Sequence, residues 1–439
     1  MKTHIYLMII LMVLSQSLSA QIDMKKAIVR DRFIPGEIWL DNNGIHINAH
    51  GGGLLFYKDT YYWFGEHKTA GRAGNRANVG VHCYSSVDLY NWKDEGIALA
   101  VSENINSDIT KGCVIERPKV IYNRKTGKYV MWFHLELKGQ GYNTARTGVA
   151  VSDKITGPYF FLRSLRPNAN TWPENFTEEQ KNGPNSEEKM TPWTEPWLKA
   201  VREGLFVRRD FNRGQMSRDM TLYVDEDDKA YHIHASEENL TLHISQLSDD
   251  YLSFNGRYTR IFPGGHNEAP AIFKRKGKYY LITSGCSGWN PNPARSAVAD
   301  SIWGPWKSLQ NPCVGVNPQN NLGLEKTFGG QSTFVLPVPG KSDGFIAMFD
   351  MWRPNNAIDG RYIWLPLEFT DDEFKVPWHD EWDLSIFKKF PRRCQGIIQS
   401  NLRGFRFRWS LQLGDFATAM MPTFDDSDYC TCPFAGTDD

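Results

Sequence analysis

Two carboxylates at equivalent places in two similar segments are the residues of this chain best suited to chemistry. Glu268 opens the run Glu268-Ala-Pro-Ala-Ile-Phe-Lys-Arg-Lys-Gly-Lys-Tyr-Tyr280, in which an alternating strand, a Lys-Gly turn and an aromatic strand follow the acid. The segment from Ser217 to Tyr231 repeats this layout, with Asp219 in the place of Glu268. We expect the two carboxylates at the inner ends of equivalent strands, sharing one pocket.

A close pair of carboxylates is suited to acid catalysis. A general acid must stay protonated near neutral pH, and an ionised Asp219 nearby raises the pKa of Glu268 by like-charge repulsion. The alternative is that both carboxylates cap backbone amides at turns.

The elements that position this pair form a repeat in which a turn and an aromatic strand alternate with a strand containing Ser or Asp. The aromatic strands lie at 61–65, 128–133, 230–234, 278–282 and 344–349. Five copies predict an all-β fold, a five-bladed β-propeller, because radial repetition of small antiparallel sheets protects sheet edges and points loops into a central channel. An insertion at about 167–213 is partly helix-like over 187–203. It either walls the pocket or is a surface excursion.

Composition narrows the partners. Lys plus Arg and Asp plus Glu each total 50 in 439 residues, so the net charge of zero gives no reason to expect nucleic acid or an anionic membrane surface. Aromatic residues make up 13% of the chain, which fits stacking on sugar rings as well as strand packing. The sequence does not indicate an oligomeric state.

The first 20 residues have a charged start, a short apolar stretch and a small-residue end, typical of a signal peptide. We expect an exported protein with a propeller domain over 21–389 and a C-terminal tail of unknown role over 390–439. The seven cysteines are scattered without a zinc-like spacing, so we expect most to be buried free thiols.

Over 36–389 the sequence resembles glycoside hydrolase family 43, a family of inverting glycosidases with five-bladed propellers. The two segments quoted above carry the resemblance. It implies that Glu268 is the general acid and that Asp219 orients and tunes it.

The first repeat departs from most of that family, which carries an Asp base there. This chain has Ala49-His-Gly-Gly-Gly53 instead. That run, together with Trp63-Phe-Gly-Glu-His67, Val114-Ile-Glu-Arg-Pro-Lys119 and Gly329-Gly-Gln-Ser-Thr-Phe334, is similar to the exo-β-1,3-galactanase branch, which lacks the Asp base.

Within that branch the resemblance implies Glu116 as a third site carboxylate, Glu66 as a substrate-binding group and Gln331 near the attacking water. Inversion needs an acid and a base about 6.5–9.5 Å apart, and an ordinary amide is a very poor base. Gln331 either orients the water or acts as an imidic tautomer, while Glu116 takes up the proton directly or through water. The alternatives are an ion pair of Glu116 with Arg117 or Arg361, and ordinary strand hydrogen bonds for Gln331.

Three further residues are candidates for substrate binding. His50, beside three glycines, either lines the pocket floor or is a core histidine. Trp289 follows the Glu268 hairpin and is either a sugar-stacking aromatic or a rim core residue. Arg361 precedes a last-blade strand typical of the family. No cofactor is required; a central calcium ion is compatible with the resemblance but is not predicted.

We therefore expect an exo-acting glycosidase that hydrolyses β-1,3-galactan, an oligo- or polysaccharide substrate, with inversion. The rival hypotheses are an arabinofuranosidase, xylosidase or galactofuranosidase of the same fold, and a non-catalytic carbohydrate-binding propeller that has lost its base.

Overall fold

The computed structural model describes residues 29–388, and this part of the chain forms six β-sheets. The first sheet contains β1 (His50–Tyr57), β2 (Thr60–His67), β3 (Gly80–Ser86) and β4 (Lys93–Ala100). The second contains β5 (Val114–Asn123), β6 (Lys128–Glu136), β7 (Arg146–Ser152) and β8 (Phe160–Leu165). The third contains β9 (Met220–Val224), β10 (Ala230–Ser236), β11 (Thr241–Leu247) and β12 (Phe254–Ile261).

The remaining sheets follow in the second half of the described chain. The fourth contains β13 (Glu268–Arg275), β14 (Lys278–Ser284), β15 (Ala294–Ala299) and β16 (Lys307–Leu309). A small sheet contains β17 (Cys313–Val314), β21 (Glu368–Thr370) and β22 (Glu373–Pro377). The last contains β18 (Gln331–Pro337), β19 (Phe345–Met351) and β20 (Arg361–Pro366). In each sheet except the small one, all neighbouring strands are antiparallel.

The sheets are arranged as a propeller. The first strands β1, β5, β9, β13 and β18 contact one another in sequence, and β18 contacts β1, so the inner strands close a ring. Buried apolar clusters fill the spaces between neighbouring sheets. The predicted all-β propeller is therefore confirmed.

The predicted number of five blades is wrong, because residues 29–388 form six β-sheets. The small sheet was missed because its strands are only 2, 3 and 5 residues long, too short to show alternation. Phe374 and Val376 of β22 pack in the same core as Phe273 and Phe345. This sheet thus extends a core between two larger sheets and adds no strand to the inner ring.

The two ends of the described chain close the ring together. The amide of Phe33 donates to the carbonyl of Trp382 at 2.7 Å, and the two rings stack with centroids 4.3 Å apart. Trp39, Trp63 and Trp364 pack in the same cluster of buried aromatics. Part of the high aromatic content of the sequence is therefore explained by tryptophans in the core between the first and last sheets.

The insertion between β8 and β9 is helical in part, as predicted. It contains α1 (Glu178–Lys181), α2 (Glu195–Arg202) and α3 (Leu205–Arg209). Helix α2 begins later than the predicted 187, and Pro196 stands in its first turn, where a missing amide proton is tolerated. Val201 and Phe206 pack on Leu240, which fixes the helices to the third sheet.

Bulges at the inner ends of three inner strands orient residues toward the centre of the propeller. The strand register shifts after His50 in β1, after Glu116 in β5 and after Glu268 in β13. The next residue in each case has a left-handed backbone: Gly51 (φ 59°), Arg117 (φ 57°) and Ala269 (φ 52°). Such bulges re-aim a side chain, so three sheets use one device to orient the polar residue at the inner end.

Several predictions fall on residues outside 29–388, namely the signal peptide at 1–20, the tail at 390–439 and the cysteines at 394, 430 and 432. Of the cysteines in the described range, Cys83, Cys113 and Cys313 are buried free thiols as expected, whereas Cys286 is an exposed free thiol. No helix between residues 29 and 388 has the length and apolar character needed to cross a bilayer.

Candidate active site

A cavity of about 250 Å³ lies among the inner strands and is called the central cavity. Six of the eight predicted site residues line it: Glu66, Glu116, Asp219, Glu268, Trp289 and Gln331. Most of the other lining residues are also polar or aromatic: Arg117, His134, Tyr142, Arg218, Asn239 and Trp352. The prediction that carboxylates from different sheets share one pocket is confirmed.

Glu268 has the properties of a proton donor. Burial, followed by the negative charge of Asp219, raises its pKa to about 7 from an ordinary 4.5. Its Oε1 accepts a hydrogen bond from Asn239 Nδ2 at 2.6 Å, so its partner is a neutral donor. A carboxyl group with this pKa is protonated in a large fraction of molecules at neutral pH, so it can donate a proton there.

Asp219 lies immediately before β9 and is paired with Arg117. The distance between Asp219 Oδ2 and Arg117 Nη2 is 2.8 Å. The same Nη2 donates to Gln331 Oε1 at 2.6 Å, while Nη1 donates to the Ser332 carbonyl at 2.9 Å. One buried guanidinium thus fixes the positions of Asp219 and Gln331 relative to each other.

The hydrogen bonds of Gln331 define its orientation. Its Oε1 accepts from Arg117 Nη2 and from Trp352 Nε1 at 2.8 Å, and its Nε2 donates to Ser284 Oγ at 2.9 Å. Arginine and tryptophan side chains can only donate, so the amide oxygen must face them. This arrangement matches the ordinary amide tautomer. It leaves the carbonyl oxygen poorly suited to accept a proton from water.

Glu116 belongs to a buried chain of alternating charges. Its Oε2 lies 2.9 Å from His134 Nδ1, and His134 Nε2 lies 3.0 Å from Glu136 Oε1. Asn75 and Tyr142 donate to Glu116 Oε1 at 2.8 and 2.6 Å. Burial opposes these charges, but the hydrogen bonds and opposite charges prevail: the pKa of His134 rises to about 9, and that of Glu116 falls well below its usual range.

This network corrects one alternative raised from the sequence. Glu116 is not paired with Arg117 or Arg361 but with His134. Because Glu116 is held ionised and accepts three hydrogen bonds, it is a weak proton acceptor. Its charge is more suited to stabilising positive charge in the cavity.

Glu66 is buried, and both of its oxygens have partners inside the protein. Oε1 accepts from the backbone amide of Arg117 at 2.9 Å, and Oε2 is 2.5 Å from Lys68 Nζ. Lys68 Nζ in turn lies 5.2 Å from the centroid of the Trp352 ring. Glu66 therefore lines the cavity as one half of an ion pair.

An aromatic corner forms one wall of the cavity. Trp289 and Trp352 meet edge to face, with ring centroids 5.7 Å apart, and 40% of the Trp289 surface is exposed. The structure therefore favours the pocket interpretation of Trp289 over the core interpretation, since an exposed indole at a cavity offers a face for stacking.

His50 and Arg361 do not line the central cavity, so the prediction that they bind substrate there is wrong in position. His50 is completely buried, and its ring stacks on Tyr362 with centroids 5.4 Å apart. A Cβ on Gly360 would approach the His50 ring to 2.6 Å, so this packing is tight. Arg361 Nη1 pairs with Asp359 at 2.7 Å instead of reaching the cavity.

Six polar or aromatic residues of the central cavity were not predicted from the sequence: Arg117, His134, Tyr142, Arg218, Asn239 and Trp352. Arg117 had a signal, because it stands beside Glu116 in the quoted Glu-Arg-Pro motif. His134 lies two residues before Glu136 on β6 and is brought to Glu116 by strand pairing. Such a contact depends on register, which cannot be read from one strand alone.

One group of side chains has the spacing of a metal site. The carboxylate oxygens of Glu116 and Asp219 and a ring nitrogen of His134 lie within 4.8 Å of one another. Both ring nitrogens of His134 are engaged by carboxylates, and the raised pKa of His134 indicates an imidazolium, which has no free lone pair for a metal. This donor set does not fit a metal centre.

A second cavity of about 300 Å³ lies beyond the inner end of β14, where Ser284 pairs with Glu268, and is called the side cavity. Its lining residues are His266, Gly285, Cys286, Asn292, Pro293 and Arg295. Cys286 connects it to the central cavity, because its thiol donates to the Asn239 carbonyl at 3.4 Å and the Asn239 side chain donates to Glu268.

A propeller whose cavity holds a carboxyl group with a raised pKa, a second carboxylate beside it and an aromatic wall has the features of a glycoside hydrolase. Residues 171–337 match the sequence profile of Glycosyl hydrolases family 43.

Solved structures support this assignment. A GH43 β-1,3-galactosidase with galactodeoxynojirimycin is 57% identical, with a TM-score of 0.77 over 80% of this chain and 100% of that one. A variant of exo-β-1,3-galactanase from Phanerochaete chrysosporium with β-1,3-galactotriose is 30% identical, with a TM-score of 0.63 over 81% of this chain and 68% of that one.

A curated relative, β-D-galactofuranosidase from Aspergillus niger, is 30% identical over 120 residues, which are 27% of this chain. The match spans only 33% of the length of that relative. Taken together with the solved structures, these comparisons show that the chain belongs to glycoside hydrolase family 43.

Proposed function

We propose that this glycoside hydrolase removes galactose units from the end of β-1,3-linked galactan with inversion of configuration. The observation that carries the proposal is the raised pKa of Glu268, about 7, beside the Asp219–Arg117–Gln331 group. The similarity to β-1,3-galactosidase and exo-β-1,3-galactanase structures supports galactan as the substrate.

In this mechanism Glu268 donates its proton to the glycosidic oxygen as that bond breaks, and Asp219 keeps the carboxyl group protonated until then. The central cavity holds the sugar that is released, with Trp289 against its apolar face. Ionised Glu116 stabilises the positive charge that develops on the sugar ring.

Gln331 positions the attacking water as an ordinary amide. Because the transition state of glycoside hydrolysis resembles an oxocarbenium ion, the water needs little deprotonation before it bonds to the anomeric carbon. Its proton can then leave to solvent. This role agrees with the Gln331 carbonyl being occupied by Arg117 and Trp352.

The test is product analysis by chromatography and anomeric NMR with linear β-1,3-galactan, beside arabinan and xylan controls. Release of galactose that is first formed as the α-anomer, from galactan alone, is expected. Release of the β-anomer would refute inversion, and activity on arabinan or xylan alone would refute the substrate.

The Aspergillus niger similarity favours a second candidate, a galactofuranosidase. Aryl β-D-galactofuranoside and aryl β-D-galactopyranoside differ only in ring size, so a direct comparison of kcat/KM on the two separates the candidates. We expect the pyranoside to be the better substrate.

We also propose export, on the basis of the signal-peptide pattern in residues 1–20. N-terminal sequencing of the protein isolated from its source should find a mature chain that begins near Gln21. A chain that retains residues 1–20 would contradict this.

A further inference from the structure

The side cavity lies on the side of Glu268 from which a leaving group departs. A general acid donates its proton to the oxygen that joins the released sugar to the rest of the substrate. With the released sugar in the central cavity, the next sugar must therefore lie close to Glu268 on the opposite side. Cys286 lines the side cavity and donates to the carbonyl of Asn239, the residue whose side chain holds Glu268, so it marks that position.

One ordered loop separates the two cavities. Trp289 lies against the central cavity, whereas Cys286 and Asn292, from the same loop, line the side cavity. Asn292 Oδ1 accepts from the Gly285 amide at 2.7 Å, and its Nδ2 donates to the Gly285 carbonyl at 3.0 Å and to Ser287 Oγ at 2.7 Å. The loop is thus clamped at its base, so both cavities have a fixed common boundary.

The insertion supplies an aromatic rim to the side cavity. The Trp193 ring stacks on the His266 ring with centroids 5.2 Å apart and an interplanar angle of 25°. His266 lines the cavity, and its carbonyl accepts from Arg295 Nη1 at 2.7 Å. Trp193 nevertheless remains 63% exposed, while Trp197 of α2 fills the core of the insertion. Within the insertion Trp193 contacts Trp197, with ring centroids 5.2 Å apart, but this contact leaves most of the Trp193 surface uncovered.

We propose that the side cavity, with Trp193 at its rim, binds the sugars on the leaving-group side of the scissile bond. An exposed indole offers a flat apolar face to a neutral sugar ring, and the guanidinium of Arg295 offers donors to its hydroxyl groups. The insertion at about 167–213 is then part of the substrate-binding surface. This inference rests on the proposed function, because it takes Glu268 as the acid.

The test compares a long and a short substrate in Trp193→Ala, Trp193→Phe and the wild type. In this proposal β-1,3-galactotriose extends through the side cavity as far as Trp193 at its rim. The aryl group of p-nitrophenyl β-D-galactopyranoside reaches only the inner end of the cavity, near Cys286. We expect the ratio of kcat/KM for galactotriose to kcat/KM for the aryl galactoside to fall about fivefold in Trp193→Ala. This factor corresponds to the free energy of one aromatic contact. Trp193→Phe should keep most of the ratio.

Phe160→Ala is the matched control, because Phe160 on β8 is a similarly exposed aromatic (67%) that lines neither cavity. Its ratio should equal that of the wild type. A ratio in Trp193→Ala equal to that of Phe160→Ala would overturn the side-cavity proposal, as would an equal loss on both substrates, which indicates a structural role. A wild type that cleaves neither galactoside refutes the proposed function itself, and this inference with it.

A binding measurement provides an independent readout. In the Glu268→Gln background, calorimetry should show that Trp193→Ala weakens binding of β-1,3-galactotriose about fivefold more than binding of galactose. Equal weakening of both ligands would contradict the proposal.

Discussion

Replacing Asp219 with Asn should shift the alkaline limb of the pH–activity profile toward lower pH. The negative charge of Asp219 is one cause of the raised pKa of Glu268, second to burial, whereas Arg117 lowers that pKa. The substitution removes the repulsive charge and leaves Arg117 without its carboxylate partner. Both changes favour the ionised form of Glu268, so both lower its pKa.

The magnitude follows from the effect of one neighbouring charge. Such a charge shifts a pKa by about 1 unit or more, so the pKa of Glu268 should fall from about 7 to about 6 or below. At pH 7 the protonated fraction then falls from about half to about one tenth, a roughly fivefold loss from protonation alone. At pH 5 this component disappears, because Glu268 is protonated in both proteins.

The assay is kcat/KM against pH from 4 to 9 on an aryl β-D-galactopyranoside. Glu238→Gln is the matched control, since it removes a carboxylate that pairs with Arg209 and Arg218 at the cavity rim. Its alkaline limb should coincide with that of the wild type. An alkaline limb that stays in place or moves to higher pH in Asp219→Asn would show that Asp219 does not tune Glu268.

Four other predictions concern three residues of the same cavity. Glu268→Gln should lower kcat by about 10²–10⁴-fold, the usual contribution of a general acid, while circular dichroism shows the fold intact; turnover close to wild type would exclude Glu268 as the acid. Because its folded pKa of about 7 lies above the ordinary 4.5, Glu268 contributes stability that is present below pH 4.5 and lost as the pH rises through 7. Glu268→Gln should therefore raise the free energy of unfolding at pH 8 by at most about 3 kcal/mol relative to wild type, seen as a higher Tm, but should not raise it at pH 4. Equal differences in Tm at both pH values would contradict this. Gln331→Ala should lower kcat about 10²-fold or more with little change in KM, as for other transition-state hydrogen bonds, and a change in KM alone would assign it to substrate binding. His134→Gln should move the acidic limb of kcat/KM toward higher pH, because burial raises the pKa of Glu116 once the hydrogen bond and charge of His134 are gone; an unmoved limb would mean that the ionisation of Glu116 is not required.

The sequence predicted those parts of the site that depend on position along a strand. Glu268 and Asp219 could be placed together because equivalent strands of a repeat bring equivalent positions to one centre. The repeat also predicted the propeller, although the small sheet with strands of two, three and five residues escaped notice. Alternation cannot be recognised in strands so short.

The rest of the site depends on contacts between sheets, which a single sequence does not encode locally. His50 stands at the inner end of β1 like the carboxylates of the other sheets, yet it packs under Tyr362 rather than lining the cavity. The pairing of Glu116 with His134 requires the register of β5 against β6. The approach of Trp193 to the side cavity requires the path of the whole insertion.

The balance of charge in the central cavity explains why position 331 carries an amide rather than a carboxylate. Three of its carboxylates each have a cationic partner at 2.5–2.9 Å, and these pairs are Glu66–Lys68, Glu116–His134 and Asp219–Arg117. Among residues 29–388, Glu268 forms no ion pair, and its side chain accepts a hydrogen bond from the neutral amide of Asn239. A fifth carboxylate at position 331 would compete with Asp219 for Arg117 and would add another negative charge to a buried cavity. The neutral Gln331 keeps Arg117 paired with Asp219, and Asp219 in turn keeps Glu268 protonated. The amide thus preserves the acid, which agrees with the proposed role of Gln331 in positioning the water.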